Sequence, residues 1–83
     1  MSPSTFDELL ALADKLGITV RHVHLGGDGG GLASFKGKRQ LFIDLDADPA
    51  DQLDRTARAL AAVGGLDEFF IRPDVRQLIE GSR

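Results

Sequence analysis

Cysteine, tryptophan and tyrosine are absent from this chain, and methionine occurs once. Without cysteine no disulfide can form, and neither a thiolate metal site nor a cysteine nucleophile is possible. Five phenylalanines are the whole aromatic complement, which leaves little to stack on nucleobases. Positive charge is not in excess: 10 Lys+Arg stand against 13 Asp+Glu for a net of −3, which speaks against nucleic acid as a partner. No stretch approaches the roughly 20 apolar residues of a membrane span. The opening Met-Ser-Pro-Ser-Thr-Phe-Asp-Glu lacks the basic start and apolar run of a signal peptide, so the expected compartment is the cytoplasm, with no membrane partner.

What is present suffices for a fold. Leu, Ile, Val and Phe make up 25 of 83 residues, above the roughly 20% below which chains tend to stay disordered. That length fits one domain over residues 1–83. A domain of this size buries only about 60% of its unfolded surface. A partner chain or a second copy is therefore an expected source of added stability.

Local patterns predict the order α-β-β-β-α-β-α. Thr5 and Glu8 have the spacing of a capping box, and Phe6, Leu9, Leu10, Ala13 and Leu16 recur at helical intervals, so a helix is expected over 5–16 and a stop at Gly17. Residues 18–25 are rich in β-branched side chains and read as a strand, although its faces do not alternate cleanly, which implies a bulge near Arg21 or partial cover on both faces. Short strands follow at 32–35 and 40–45 around a basic turn. With short connections between them, these strands predict an antiparallel meander. Asp48 and Pro49 open a second helix, expected over 49–62 and ended by Gly64 and Gly65. On its exposed side Asp51 faces Arg55, and Asp54 faces Arg58, four residues on. Phe69-Phe70-Ile71 reads as a buried fourth strand, and a last helix runs from Pro73 to Gly81. The expected fold class is α+β, a mostly antiparallel four-stranded sheet packed against helices.

The most unusual segment is Gly26-Gly27-Asp28-Gly29-Gly30-Gly31, five glycines in six positions. It reads as a mobile hairpin connection or a glycine edge approached closely by another backbone, and alternatively as a loop whose backbone N–H groups are open enough to cradle an anion. With His22, His24, Lys36, Lys38 and Arg39 it forms a candidate receptor for a small anionic ligand such as a phosphate or nucleotide. It matches no phosphate fingerprint, since no G-x-G-x-x-G fits and Gly37-Lys38 is followed by Arg39 where a P-loop needs Ser or Thr. Asp44 and Asp46 are weak candidates for a metal-dependent hydrolase, as paired carboxylates at a strand end. A calcium loop is excluded, because Pro49 occupies its glycine position and Arg55 the place of its bidentate Glu. No nucleophile elbow occurs and no complete catalytic constellation is visible, so neither catalysis nor a cofactor is expected.

Leu16-Gly17-Ile18, Gly31-Leu32, Leu41-Phe42-Ile43 and Pro49-Ala50-Asp51-Gln52 follow one another as in ImmA/IrrE-type zinc metallopeptidases, which the stretch from Leu12 to Ala62 resembles. The resemblance implies a shared helix-on-sheet scaffold. Where that family carries H-E-x-x-H, this chain has Arg58, Ala59, Leu60, Ala61 and Ala62, so neither zinc ligand nor base is implied. The chain also resembles short bacterial proteins without an assigned activity. The expected function is a non-catalytic binding or interaction module that takes a protein partner or associates with itself as a homo-oligomer. Strand pairing at a sheet edge beside the glycines is the expected mechanism.

Overall fold

The computed structural model describes residues 4–63 and 65–82, Asp67 by its backbone alone. Among these residues the order is α1 (Thr5–Lys15), β1 (Thr19–Val23), β2 (Gly31–Phe35), β3 (Lys38–Asp44), α2 (Pro49–Ala61), a 3-10 turn (Leu66–Glu68) and α3 (Pro73–Gly81). This is an α+β fold. No described helix is long and apolar enough to cross a membrane.

The capping box of α1 sits one residue earlier than the sequence suggests. Ser4 is extended, its Oγ accepts the Asp7 N–H at 3.1 Å, and its own N–H donates to Asp7 Oδ2 at 3.4 Å. Thr5 is already helical, so Glu8 is released from capping and its carboxylate lies 3.8 Å from the Arg72 guanidinium. At the other end the Ile18 N–H bonds to Ala13 O and the Gly17 N–H to Asp14 O, both at 3.0 Å, with Gly17 at φ +77°. This paired closure satisfies the last carbonyls and turns the buried Ile18 back onto the helix.

β3 is the central strand. β1 pairs with it in parallel, Thr19 opposite Gln40 through Val23 opposite Asp44, and β2 pairs antiparallel, Gly31 opposite Phe42 through Phe35 opposite Lys38. The expected meander is therefore corrected to a mixed sheet in which β1 and β2 do not touch. Their glycine-rich connection passes across the end of β3 instead of making a hairpin. β1 pairs residue for residue with no bulge, and its irregular pattern comes from an edge strand with Val20 and Val23 each half-buried. The fourth strand is also corrected: Phe69-Phe70-Ile71 pairs with no strand among the described residues. Phe69 and Ile71 pack inward, whereas Phe70 turns to solvent, which an isolated extended segment permits and a central strand does not.

Register partners share a face. Val20, Leu41 and Leu32 lie on one side with His22 and Ile43, and the core of Leu9, Leu12, Leu60, Val75 and Ile79 gathers against Leu41 and Ile43 there. The other side carries Arg21, Phe42 and Gly31 in one row, Thr19, Gln40 and Ala33 in the next, and Phe35 beside Lys38.

α2 starts at Pro49 with Asp48 at the cap position, but the Asp48 carboxylate makes no capping bond. Gln52 Nε2 donates to Ala47 O at 2.9 Å across the same turn. The expected Asp54–Arg58 pair is present at 3.1 Å. The expected partner of Asp51, Arg55, reaches the Gly29 carbonyl instead. Gly65 follows at φ +88°, while Pro3 and Gly64 fall outside the described residues. α3 is tied at its start by Arg72, which donates to both Asp74 oxygens at 3.0 and 2.8 Å.

Leu60 is fully buried between α2 and the sheet. Leu60→Ala should cost about 2–5 kcal/mol in urea unfolding. Leu45→Ala, at an exposed site, should change stability by less than about 1 kcal/mol.

Candidate functional site

β3 ends on a carboxylate. Asp44 is 2% exposed, although nothing in the apolar run before it requires a charge there. Its Oδ1 accepts the N–H of Leu25 at 3.0 Å and of Asp46 at 2.9 Å, and its Oδ2 accepts those of Gly27 at 2.8 Å and Gly29 at 2.9 Å. Burial pushes this carboxyl up, but the four amides outweigh it and hold its pKa at about 2. Two of the glycine amides, with those of Leu25 and Asp46, thus surround an anion that is the protein's own carboxylate.

Asp46 repeats the arrangement nearer the surface. Its Oδ1 lies 2.8 Å from His24 Nδ1 and its Oδ2 accepts the Gly26 N–H at 2.9 Å. His24 first and the Gly26 amide second hold Asp46 below the usual carboxylate range. From the helix side, Arg55 Nη1 donates to the Gly29 carbonyl. The loop is therefore held by carboxylates through its N–H groups and by a guanidinium through a carbonyl.

Two glycines have steric reasons. A Cβ at Gly29 would lie 2.5 Å from Leu25 Cβ, and one at Gly30, at φ +106°, would lie 3.2 Å from the Phe42 carbonyl oxygen. The second is the close backbone approach that lets the chain cross β3 and enter β2. Asp28 stands exposed at the outer bend.

The remaining candidates are dispersed. His22 lies on β1 on the helix side of the sheet and lines a cavity with Leu10, Asp14 and Thr19, whereas His24 has left the strand to meet Asp46. The two histidines do not converge. Lys36 forms the turn between β2 and β3 with φ +51°, and its Nζ lies 5.4 Å from the centre of the Phe35 ring. Lys38 and Arg39 open β3, so the basic group sits at the far end of the β2–β3 ribbon from the glycines, about 13 Å away at the rise of a strand. Loop and basic side chains do not form one receptor in this arrangement. Asp44 and Asp46 lie together, but N–H donors occupy the oxygens that a cation would need. Among the described residues no group of three or more His, Asp or Glu is placed to hold a metal.

Two features escaped the sequence reading. Arg55 spans 26 positions to the loop, and no local spacing signals that. Asp44 did carry a signal: a carboxylate that breaks the apolar end of a strand, in a chain with a cluster of glycine amides needing an acceptor. Comparison with protein-family models, curated proteins and solved structures gives no significant match.

Because the folded pKa of Asp44 lies below its ordinary value of 3.8, its contribution to stability is complete above that value and is lost as pH falls through about 2. Urea midpoints of the wild type should fall across this window, and Asp44→Asn should be less stable at neutral pH with a shallower acid limb. Gly29→Ala should cost about 1–3 kcal/mol through overpacking. Gly81→Ala in α3, where a Cβ meets open space, should be neutral or stabilising.

Proposed function

We propose that this domain is a non-catalytic interaction module that accepts a protein strand along the free edge of β2. The observation that carries the reading is the character of that edge. Gly31-Leu32-Ala33-Ser34-Phe35 contains no charge and no proline, Leu32 through Phe35 are all exposed, and no strand among the described residues covers the outer side. Uncharged open edges invite pairing and are normally guarded. The opposite edge, β1, is guarded by Arg21 and His22.

The hydrogen-bonding parity of β2 supports the reading. Lys36 and Gly37, at φ +51° and +78°, form a two-residue turn of the primed type, closed by Phe35 and Lys38. Alternation from that closing pair directs the peptide groups of Gly31, Ala33 and Phe35 toward β3 and those of Leu32 and Ser34 outward. An incoming strand meets two N–H and two C=O groups in extended geometry. The anchored loop fixes where this edge begins, which is its role in the proposed activity.

The likeness to the ImmA/IrrE scaffold belongs to the same reading, as a helix-on-sheet frame in which the sheet edge is kept and zinc chemistry is absent. The small-anion and hydrolase readings draw no support from a loop whose donors already hold Asp44 and Asp46.

Titration of the 15N-labelled protein with extended peptides of alternating apolar pattern tests the reading. Amide shifts should concentrate at Leu32 and Ser34, and Ser34→Pro, which deletes an outward N–H, should abolish them with the fold retained. Peptides that leave β2 unperturbed would refute the assignment.

A further inference from the structure

Resting on the strand-acceptor reading, we propose that the strand received is β2 of a second copy, paired antiparallel about a twofold axis that passes between the two Ala33 residues. The edge is complementary to itself at each position of this register. Leu32 of one copy falls opposite Ser34 of the other, and these are the residues whose peptide groups point outward, so the two strands exchange bonds without slipping. Ala33 then faces Ala33 as a closely spaced pair that needs no hydrogen bond. Phe35 falls opposite Gly31.

That last pairing gives the register its specificity. Phe35 is 66% exposed on the sheet face that carries Phe42 and Ala33. Beside Gly31 on the other copy lies a cavity of about 290 Å³ lined by Leu25, Gly30, Gly31, Leu32, Ala33 and Phe42. The ring of each copy enters the cavity of the other, over a glycine whose missing side chain makes room, and the exchange occurs twice. Shifting the register by one residue sends the ring to the opposite face.

Charge agrees with the same orientation. Antiparallel pairing brings the basic turn of one copy, with Lys36, Lys38 and Arg39, against the glycine loop of the other, with the exposed Asp28 and the partly exposed Asp46. Lys36 stands opposite Gly30, two residues from Asp28. A parallel pairing would place like-charged ends together. Five residues of edge make a small interface, so the dimer is expected to be weak and concentration-dependent.

Because the chain has no cysteine, one substitution tests the axis. Ala33→Cys should oxidise under mild conditions to a covalent dimer of twice 8.9 kDa at least about tenfold faster than Ser34→Cys, since only residues at the axis meet their own copies across a closely spaced pair. In sedimentation of the cysteine-free protein, dimer should accumulate in the high micromolar range, and Phe35→Ala should weaken it about tenfold or more. Equal oxidation rates for the two variants overturn the register. A wild type that remains monomeric near half-millimolar while peptides still shift Leu32 and Ser34 overturns the second copy and leaves the strand-acceptor reading standing. A dimer that leaves those amides unprotected from exchange overturns the pairing through β2.

Discussion

The Asp44 carboxylate is the contact on which the rest of the structure depends. A parallel pair such as β1 and β3 needs a connection that returns the chain to the same end of the sheet, and here that return is made by the glycine loop, β2 and a two-residue turn. The loop has no apolar side chain between Gly26 and Gly31 to pack and pays a high entropic cost for order. Three N–H donors of this connection, from Leu25, Gly27 and Gly29, converge on one buried carboxylate and offset that cost in a way that apolar burial alone does not. Arg55 closes the loop from the helix side. Once the loop is fixed, Gly31 is delivered opposite Phe42, and every later pairing of the β2–β3 ribbon follows from that register.

How much of this was legible follows the sequence separation of the contacts. The Gly17 stop, the Pro49 start, the Asp54–Arg58 pair and the limits of α3 depend on neighbours within five residues, and each was readable. The capping box slipped by one position because Ser4 and Thr5 are chemically equivalent caps, and backbone conformation chooses between them. Contacts over long separations did not show. Three of the four donors to Asp44 lie 15 to 19 residues away, and its place at the apolar end of a strand sets it apart from the solvated Asp48 and Asp51 without naming those donors. The glycines suggest amides open to an anion. What the chain could not declare is that its own strand supplies the anion.

The sheet topology failed for a related reason. Short connections favour hairpins on local grounds, and β2–β3 obeys. For β1 and β2 the local rule yields: the chain crosses the end of β3, where amides of the connection reach Asp44. Phe69-Phe70-Ile71 shows the converse limit. An apolar run states that burial is available without stating its geometry, and Phe70, at 85% exposed, is buried nowhere within the described fold.

Among the described residues the helices cover one face of the sheet. They gather on the side of Leu41 and Ile43, leaving Phe42, Ala33 and Phe35 on the other. Additional helices would cover that face; the proposed edge pairing would reach the same end with residues already present, doubling the sheet and laying an aromatic ring of each copy over the bare patch of the other. Charge placement fits this economy, because β1 carries Arg21 and His22 while β2 keeps its charges beyond its ends, at Asp28 and Lys36. A guarded edge and an open edge on the same small sheet would direct the proposed association to one side, and direction of that kind would limit growth to a closed pair.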